Sequence, residues 1–240
     1  MEILQDSHLE SAAYRKVTWH IVPLVILSFT VAYLARVNIG FAKLQMLGDL
    51  HLSDAVYGLG AGIFFFGYLL FEVPSNLLLH RIGARLSIAR IMLLWGVISA
   101  CMMFVSSAWM FYLFRFLLGA AEAGFFPGVI LYLTYWFPSQ RRASTTALFM
   151  ASIPLSGLIG GPLSGWILRN MSGWHGLAGW KWMFVIEALP SILMGIVVFF
   201  VMKDRIEDAP WLSAEEKALL RHRLANDIGI SKEVSSTAGA

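Results

Sequence analysis

Ionisable side chains stand in stretches of this sequence that are otherwise apolar. Arg115 and Glu122 share one stretch, Arg36 closes another, and Glu72 and Glu187 lie near the ends of two more. An ionisable group at the centre of a bilayer costs about 2.5–3.5 kcal/mol on the insertion scale, so each needs a partner, a wet cavity or a charged substrate. Arg115 and Glu122 are seven positions apart. That spacing puts them on one face of a helix, about two turns or roughly 10 Å apart along its axis, too far for a direct ion pair. Two readings stay open: both line a cavity that takes a charged solute, or both belong to a static ion-pair network inside a bundle. Arg36 has Tyr33 one turn before it on the same face, and it either snorkels to the interface or turns inward. Glu72 and Glu187 read as structural hydrogen-bonding groups.

The elements that hold these residues follow from composition. The chain is 58% hydrophobic and only 14% charged, with 17 Phe, nine Trp and seven Tyr, whereas soluble domains carry roughly a quarter charged residues. Its solvent over most of its length is lipid. A membrane span needs about 20 apolar helical residues, and six such windows occur: Val17 to Ala35, Ala55 to Leu79, Leu86 to Val105, Ala108 to Trp136, Ala143 to Leu168 and Trp182 to Met202. The expected fold is therefore an all-α integral membrane bundle of six transmembrane helices. Residues 1–16 form an amino-terminal tail, 17–203 the bundle, and 204–240 a polar loop or tail.

Lys and Arg set the orientation. Arg15, Lys16, Arg81, Arg85, Arg90, Arg141, Arg142, Lys203 and Arg205 fall on one side, against Arg36, Lys43, Arg169 and Lys181 on the other. Both termini are expected in the cytoplasm, and the net charge of +3 reports topology rather than nucleic-acid binding. Glu2, Asp6 and Glu10 make the first segment acidic, and the apolar run that follows is long for a signal peptide, so the first helix is expected to stay. In the polar tail Ser213 and Glu216 fit a capping box, which predicts a short amphipathic helix from Ala214 to Ala225 and disorder from Ser231 to Ala240.

Glycines at 157, 161 and 165, and again at 58 and 62, form stripes spaced by four. Such stripes admit a neighbouring helix closely, for tight packing, for conformational change, or for both; Pro162 interrupts one of them. Enzyme signatures are weak. His222 and Asp227 have an H-x-x-x-x-D spacing in a polar segment without a pocket sequence, which is read as chance. There is no zinc-protease or phosphate-loop motif, no His/Cys cluster with ligand spacing, and one cysteine, Cys101, in an apolar run. No metal, cofactor or enzymatic activity is expected. Asn170-Met-Ser172 matches a glycosylation sequon, of consequence only in a host that glycosylates.

Several segments together resemble the major facilitator superfamily, and within it the anion:cation symporters. They are Tyr33-Leu-Ala-Arg-Val-Asn-Ile-Gly-Phe-Ala42, Tyr57-Gly-Leu-Gly-Ala-Gly62, Phe71-Glu-Val-Pro-Ser-Asn76, Arg81-Ile-Gly-Ala-Arg85, Arg115 through Pro127, and Pro210-Trp-Leu-Ser-Ala-Glu-Glu-Lys217. The look is closest to bacterial permeases for tartrate, phthalate, hydroxyphenylacetate and similar carboxylates. The resemblance implies that Arg36 and Arg115 meet a substrate carboxylate, that Tyr33 and Tyr68 line the same cavity, and that Glu122 carries the coupled proton. It implies an inner-membrane symporter for a small organic anion and a proton, without nucleic acid. His80, Arg81, Gly83 and Arg85 fall on the superfamily's gating motif, but His80 replaces a usual Asp and Asn76 a usual Gly, which weakens a charge-based lock. Ala35 replaces the family's usual Asp before the first-helix Arg. The family has two six-helix halves with the substrate between them, so the opposite cavity wall is expected from a second half. A non-transporting product of a disrupted or split transporter gene, or an assembly partner, is the alternative.

Overall fold

The computed structural model describes the backbone of residues 2–237 and the side chains of residues 8–227. It is all helical: α1 (Glu2–Asp49), α2 (Asp54–Ile82), α3 (Ala84–Cys101), α4 (Ala108–Glu122), α5 (Phe125–Thr134), α6 (Ser139–Met150), α7 (Ser152–Asn170), α8 (Gly179–Val201) and α9 (Ala214–Thr237). Among the described residues six helical stretches are long and apolar enough to cross a membrane, α4 with α5 and α6 with α7 each counting as one. Leu44, Leu69, Leu158 and Phe200 are among many large apolar side chains left on the outside, as a lipid-facing surface requires.

Four expected boundaries move. The first helix does not stop at Ala35: α1 begins at Glu2, includes the expected tail and runs through Arg36 to Asp49. Arg36 is thus a mid-helix residue rather than a terminal one. The fourth window is two helices, because Gly124 adopts a left-handed φ of 86°. Pro127 then sits in the first turn of α5, where its missing N–H has no intrahelical partner to lose. The fifth window divides similarly at Ala151, with Pro154 in the first turn of α7. Past Ala225, α9 continues to Thr237, so the backbone of Ser231 to Thr237 is helical where disorder was expected; residues 238–240 of that segment lie outside the described residues.

Close helix approach is not where the glycine stripes suggested. A methyl group added at Gly58, Gly62, Gly157 or Gly165 would meet nothing within 4 Å, and at Gly161 only Phe41. One tight crossing is α2 on α4. There a Cβ on Gly60 would enter the Phe111 ring, one on Gly67 would strike the Phe116 backbone, and one on Gly119 would reach the backbone of Phe64 and the Tyr68 nitrogen at 2.9 Å. A glycine interval shows that a helix can be approached, but not which face has a neighbour. Gly119→Ala is therefore expected to destabilise the bundle by about 1–3 kcal/mol, the range for overpacking. Gly58→Ala should cost nothing. Thermal unfolding of the two variants in detergent checks this, and equal midpoints would contradict the assigned crossing.

The termini share one end of the bundle. Lys16 Nζ binds the Glu216 carboxylate at 2.8 Å, Arg223 reaches Glu10 at 2.7 Å, and Arg142 lies 3.5 Å from Asp227. Ser213 and Glu216 exchange hydrogen bonds between side chain and backbone N–H at the start of α9. Burial opposes ionisation of Glu216, but the bonds from Lys16 and Ser213 outweigh it and hold the carboxyl below its ordinary range. Asp227 is likewise lowered, chiefly by the Ser139 hydroxyl. That contact gives Asp227 a docking role in place of any pairing with His222, which instead faces Asn226.

Candidate functional site

Five residues of α4, Phe111, Arg115, Leu118, Gly119 and Glu122, form its buried stripe. The spacing of three and four is that of one helical face, so Arg115 and Glu122 do point the same way. They do not pair with each other. Glu122, at the last turn of α4, accepts a hydrogen bond from Arg36 Nη1 of α1 at 3.1 Å. Arg115 donates from Nε to the Gly60 carbonyl of α2 at 3.3 Å. Neither charge is left without a neighbour, and each neighbour comes from another helix.

Arg36 is held inside the bundle rather than snorkelling outward. Its guanidinium carbon lies 5.2–5.9 Å from the ring centres of Tyr33, Phe64, Phe65 and Tyr68, within cation–π range. Its side chain keeps 29% exposure against 7% for Glu122, and both border a cavity of about 250 Å³. Phe29, Tyr33, Arg36, Tyr68, Glu72, Glu122, Phe125, Phe126, Pro127 and Ile153 line that space. The break at Gly124 is what aims Phe125 and Phe126 into it: a Cβ at Gly124 would meet the Ser75 Cβ at 2.8 Å, so α2 and the α4–α5 junction touch there.

Tyr33, Arg36, Tyr68 and Glu122 are therefore brought together. Arg115 is not among them. It is 6% exposed and lies 4.6 Å from the Phe64 ring centre, on a ring that Arg36 also approaches at 5.2 Å, and it does not line the cavity. Glu72 was read as a structural hydrogen-bonding group, yet it lines the cavity, and no hydrogen bond or ion pair joins it to another described residue. Its place four residues after Tyr68, one turn on, was the available signal. Phe64 gave none beyond being an aromatic in an apolar run.

At the terminal end, His80, Arg81 and Gly83 border a cleft with Asp204, Arg205 and Arg221. Gly83 has φ 87° between α2 and α3. The Asp204 carboxylate accepts the Arg85 backbone N–H at 2.8 Å, capping the first turn of α3. A Cβ at Gly83 would sit 2.9 Å from the same carboxylate. An acid, Asp204 from the segment after α8, thus borders the same cleft as His80. Arg85 stacks its guanidinium 5.7 Å from the Phe199 ring centre.

A long central helix, a charged pair on two helices beside an aromatic cavity and a glycine turn locked at one end fit one family pattern, and the Major Facilitator Superfamily model matches residues 25–235. The chain belongs to that superfamily. It is 55% identical over 226 residues to "Putative metabolite transport protein NicT" of Pseudomonas putida, covering 94% of this chain and 52% of that protein. It is 57% identical over 212 residues to "Putative tartrate transporter" of Agrobacterium vitis, covering 88% of this chain and 49% of the relative. The chain thus spans about half the length of the curated relatives it matches. The xylose transporter XylE of E. coli, in a partially occluded inward-open conformation, superposes with a TM-score of 0.69 at 16% identity, over 90% of this chain and 57% of that one. At that identity the likeness is one of fold: six helices corresponding to about half of a major facilitator, a multi-pass membrane protein.

Proposed function

We propose that this chain forms the amino-terminal six-helix half of a proton-coupled carrier for a small organic anion, with carboxylates as its substrates. The observation that carries the reading is the Arg36–Glu122 pair at the wall of an aromatic cavity. An arginine offers a planar fork of donors suited to a carboxylate, and here its present partner is itself a carboxyl that a proton can neutralise. A substrate anion and Glu122 compete for one cation, so protonating Glu122 frees Arg36 for substrate. The relative named for tartrate supports a carboxylate substrate.

A second six-helix half supplies the opposite wall of the cavity. The open faces of α2 and of the α6–α7 stretch fit that partner: each has 22% of its apolar window buried, against 39–56% in the other spans. The basic end, where both termini meet, faces the cytoplasm, and the protein resides in the cell membrane. The test is uptake of radiolabelled tartrate and related carboxylates into vesicles holding the complete transporter, with and without an inward proton gradient. Accumulation above equilibrium only with the gradient is the expected result. Uptake that ignores the gradient makes the protein a uniporter or exchanger, and transport of neutral solutes alone overturns the anion assignment.

A further inference from the structure

One buried carboxyl takes no part in the cavity. Glu187 lies in the middle of α8, with no exposed surface. The Ser164 hydroxyl of α7 donates to its Oε1 at 2.6 Å. Asn38 of α1, 1% exposed, lies beside the same carboxyl, yet Asn38 Nδ2 and Glu187 Oε2 both lack a hydrogen-bond partner. Three helices therefore converge on one acid through neutral groups only.

Among the described residues no cation is turned toward it. On α1, Arg36 is committed to Glu122 and Lys43 to Asp54. On α7, Arg169 is exposed at the helix end, and on α8 Lys181 lies over the Trp180 ring at 5.2 Å. On α3, which packs along α8, Arg85 lies over Phe199 and Arg90 binds Ser75. A buried carboxylate without a cation is disfavoured against its neutral form. The neutral acid also has an O–H, which can be donated to the Asn38 side-chain oxygen once the amide is turned, since its O and N positions interchange freely in assignment.

The site sits on a seam that ties α1 to its two neighbours. Ser191 donates to the Val31 carbonyl at 3.5 Å, and Gln45 bonds the Leu168 carbonyl at 3.3 Å and the Trp180 N–H at 3.0 Å. Val31, Asn38 and Gln45 are spaced by seven, so they share the face of α1 that meets α7 and α8. Asn38 is the central contact, two residues from Arg36.

We propose that Glu187 is a second proton-binding site, distinct from Glu122, which holds its proton at neutral pH and pins α1 to α7 and α8, positioning Arg36. Infrared spectroscopy of the 240-residue chain in lipid nanodiscs tests this without recourse to transport. At about pH 7, where a free glutamate is ionised, the spectrum should contain a protonated-carboxyl C=O stretch that E187Q removes and E122Q leaves. S164A should move that band to higher frequency, because the carbonyl oxygen loses its hydrogen bond. E187Q, a neutral isostere, should also keep the thermal midpoint of the parent. A carboxyl band unaffected by E187Q, or unmoved by S164A, overturns the proposal. The S164A arm stands even where E187Q fails to fold. Failure here leaves the carrier reading untouched, since Glu122 is scored separately.

Discussion

Replacing Glu122 by Gln in the complete transporter is expected to abolish accumulation driven by a pH gradient while leaving exchange between equal substrate concentrations largely intact. Glu122 and Arg36 form a pair that is 7% and 29% exposed in its side chains. In the ionised state the carboxylate holds the guanidinium, and an incoming substrate anion must displace it. Protonation removes that competition, so the parent should bind substrate more tightly as pH falls. Gln carries no charge at any pH, leaves Arg36 free and has no proton to release. Its substrate affinity should therefore be flat with pH. Ala35 stands next to Arg36, so no acid there shares the work. Equilibrium binding at two pH values, beside uptake and exchange assays, separates the steps. Accumulation that survives with an unchanged pH response would place the proton on another group.

The pairing behind that expectation was only half visible in the sequence. Spacing alone put Arg115 and Glu122 on one face and too far apart to pair, because helix geometry fixes neighbours three, four and seven positions away. It says nothing of partners across the bundle. Arg36 and Glu122 are 86 positions apart, and their contact depends on how α1 crosses α4, which side-chain periodicity does not encode. Hydropathy located all six spans but not their ends: Arg36 ended the apolar count, whereas the α1 backbone continued because an arginine paired inside the bundle does not stop a helix. The break at Gly124 was written in Gly-Phe-Phe-Pro, a glycine followed by a proline three residues on.

The turn between α2 and α3 shows a second kind of illegibility. Its glycine and its arginine were named from the family resemblance, and so was the departure at His80. What the sequence did not show is the cap on Arg85 from Asp204, 119 positions away, a residue that reads in sequence as one more charge after a span. Likewise the start of α9 was legible in its capping box, since that signal is local. Its far end was not, because Asp227 docks on Ser139 and Arg142 of α6, and that docking is tertiary.

Arg36→Ala is expected to lower substrate affinity about 100-fold or more in the complete transporter, and Phe64→Ala to reveal what Arg115 contributes. Hydrogen bonds to a charged group are worth about 1.5–3 kcal/mol, and each 1.4 kcal/mol is tenfold in affinity, so losing a two-pronged guanidinium contact exceeds one order of magnitude. Arg36→Lys keeps the positive charge beside Glu122 but not the fork, and should fall between the parent and Ala. Arg115 lies against the Phe64 ring, 4.6 Å from its guanidinium carbon, and outside the cavity lining. If Arg115 is a second anion contact, it must leave the Phe64 ring to engage. Phe64→Ala then opens that route permanently, and Arg115→Lys should weaken binding more in the Phe64→Ala background than alone. Titration calorimetry on the four combinations measures that difference. A loss identical in both backgrounds makes Arg115 a packing residue on Gly60, and undiminished affinity in Arg36→Ala removes the anion site from α1.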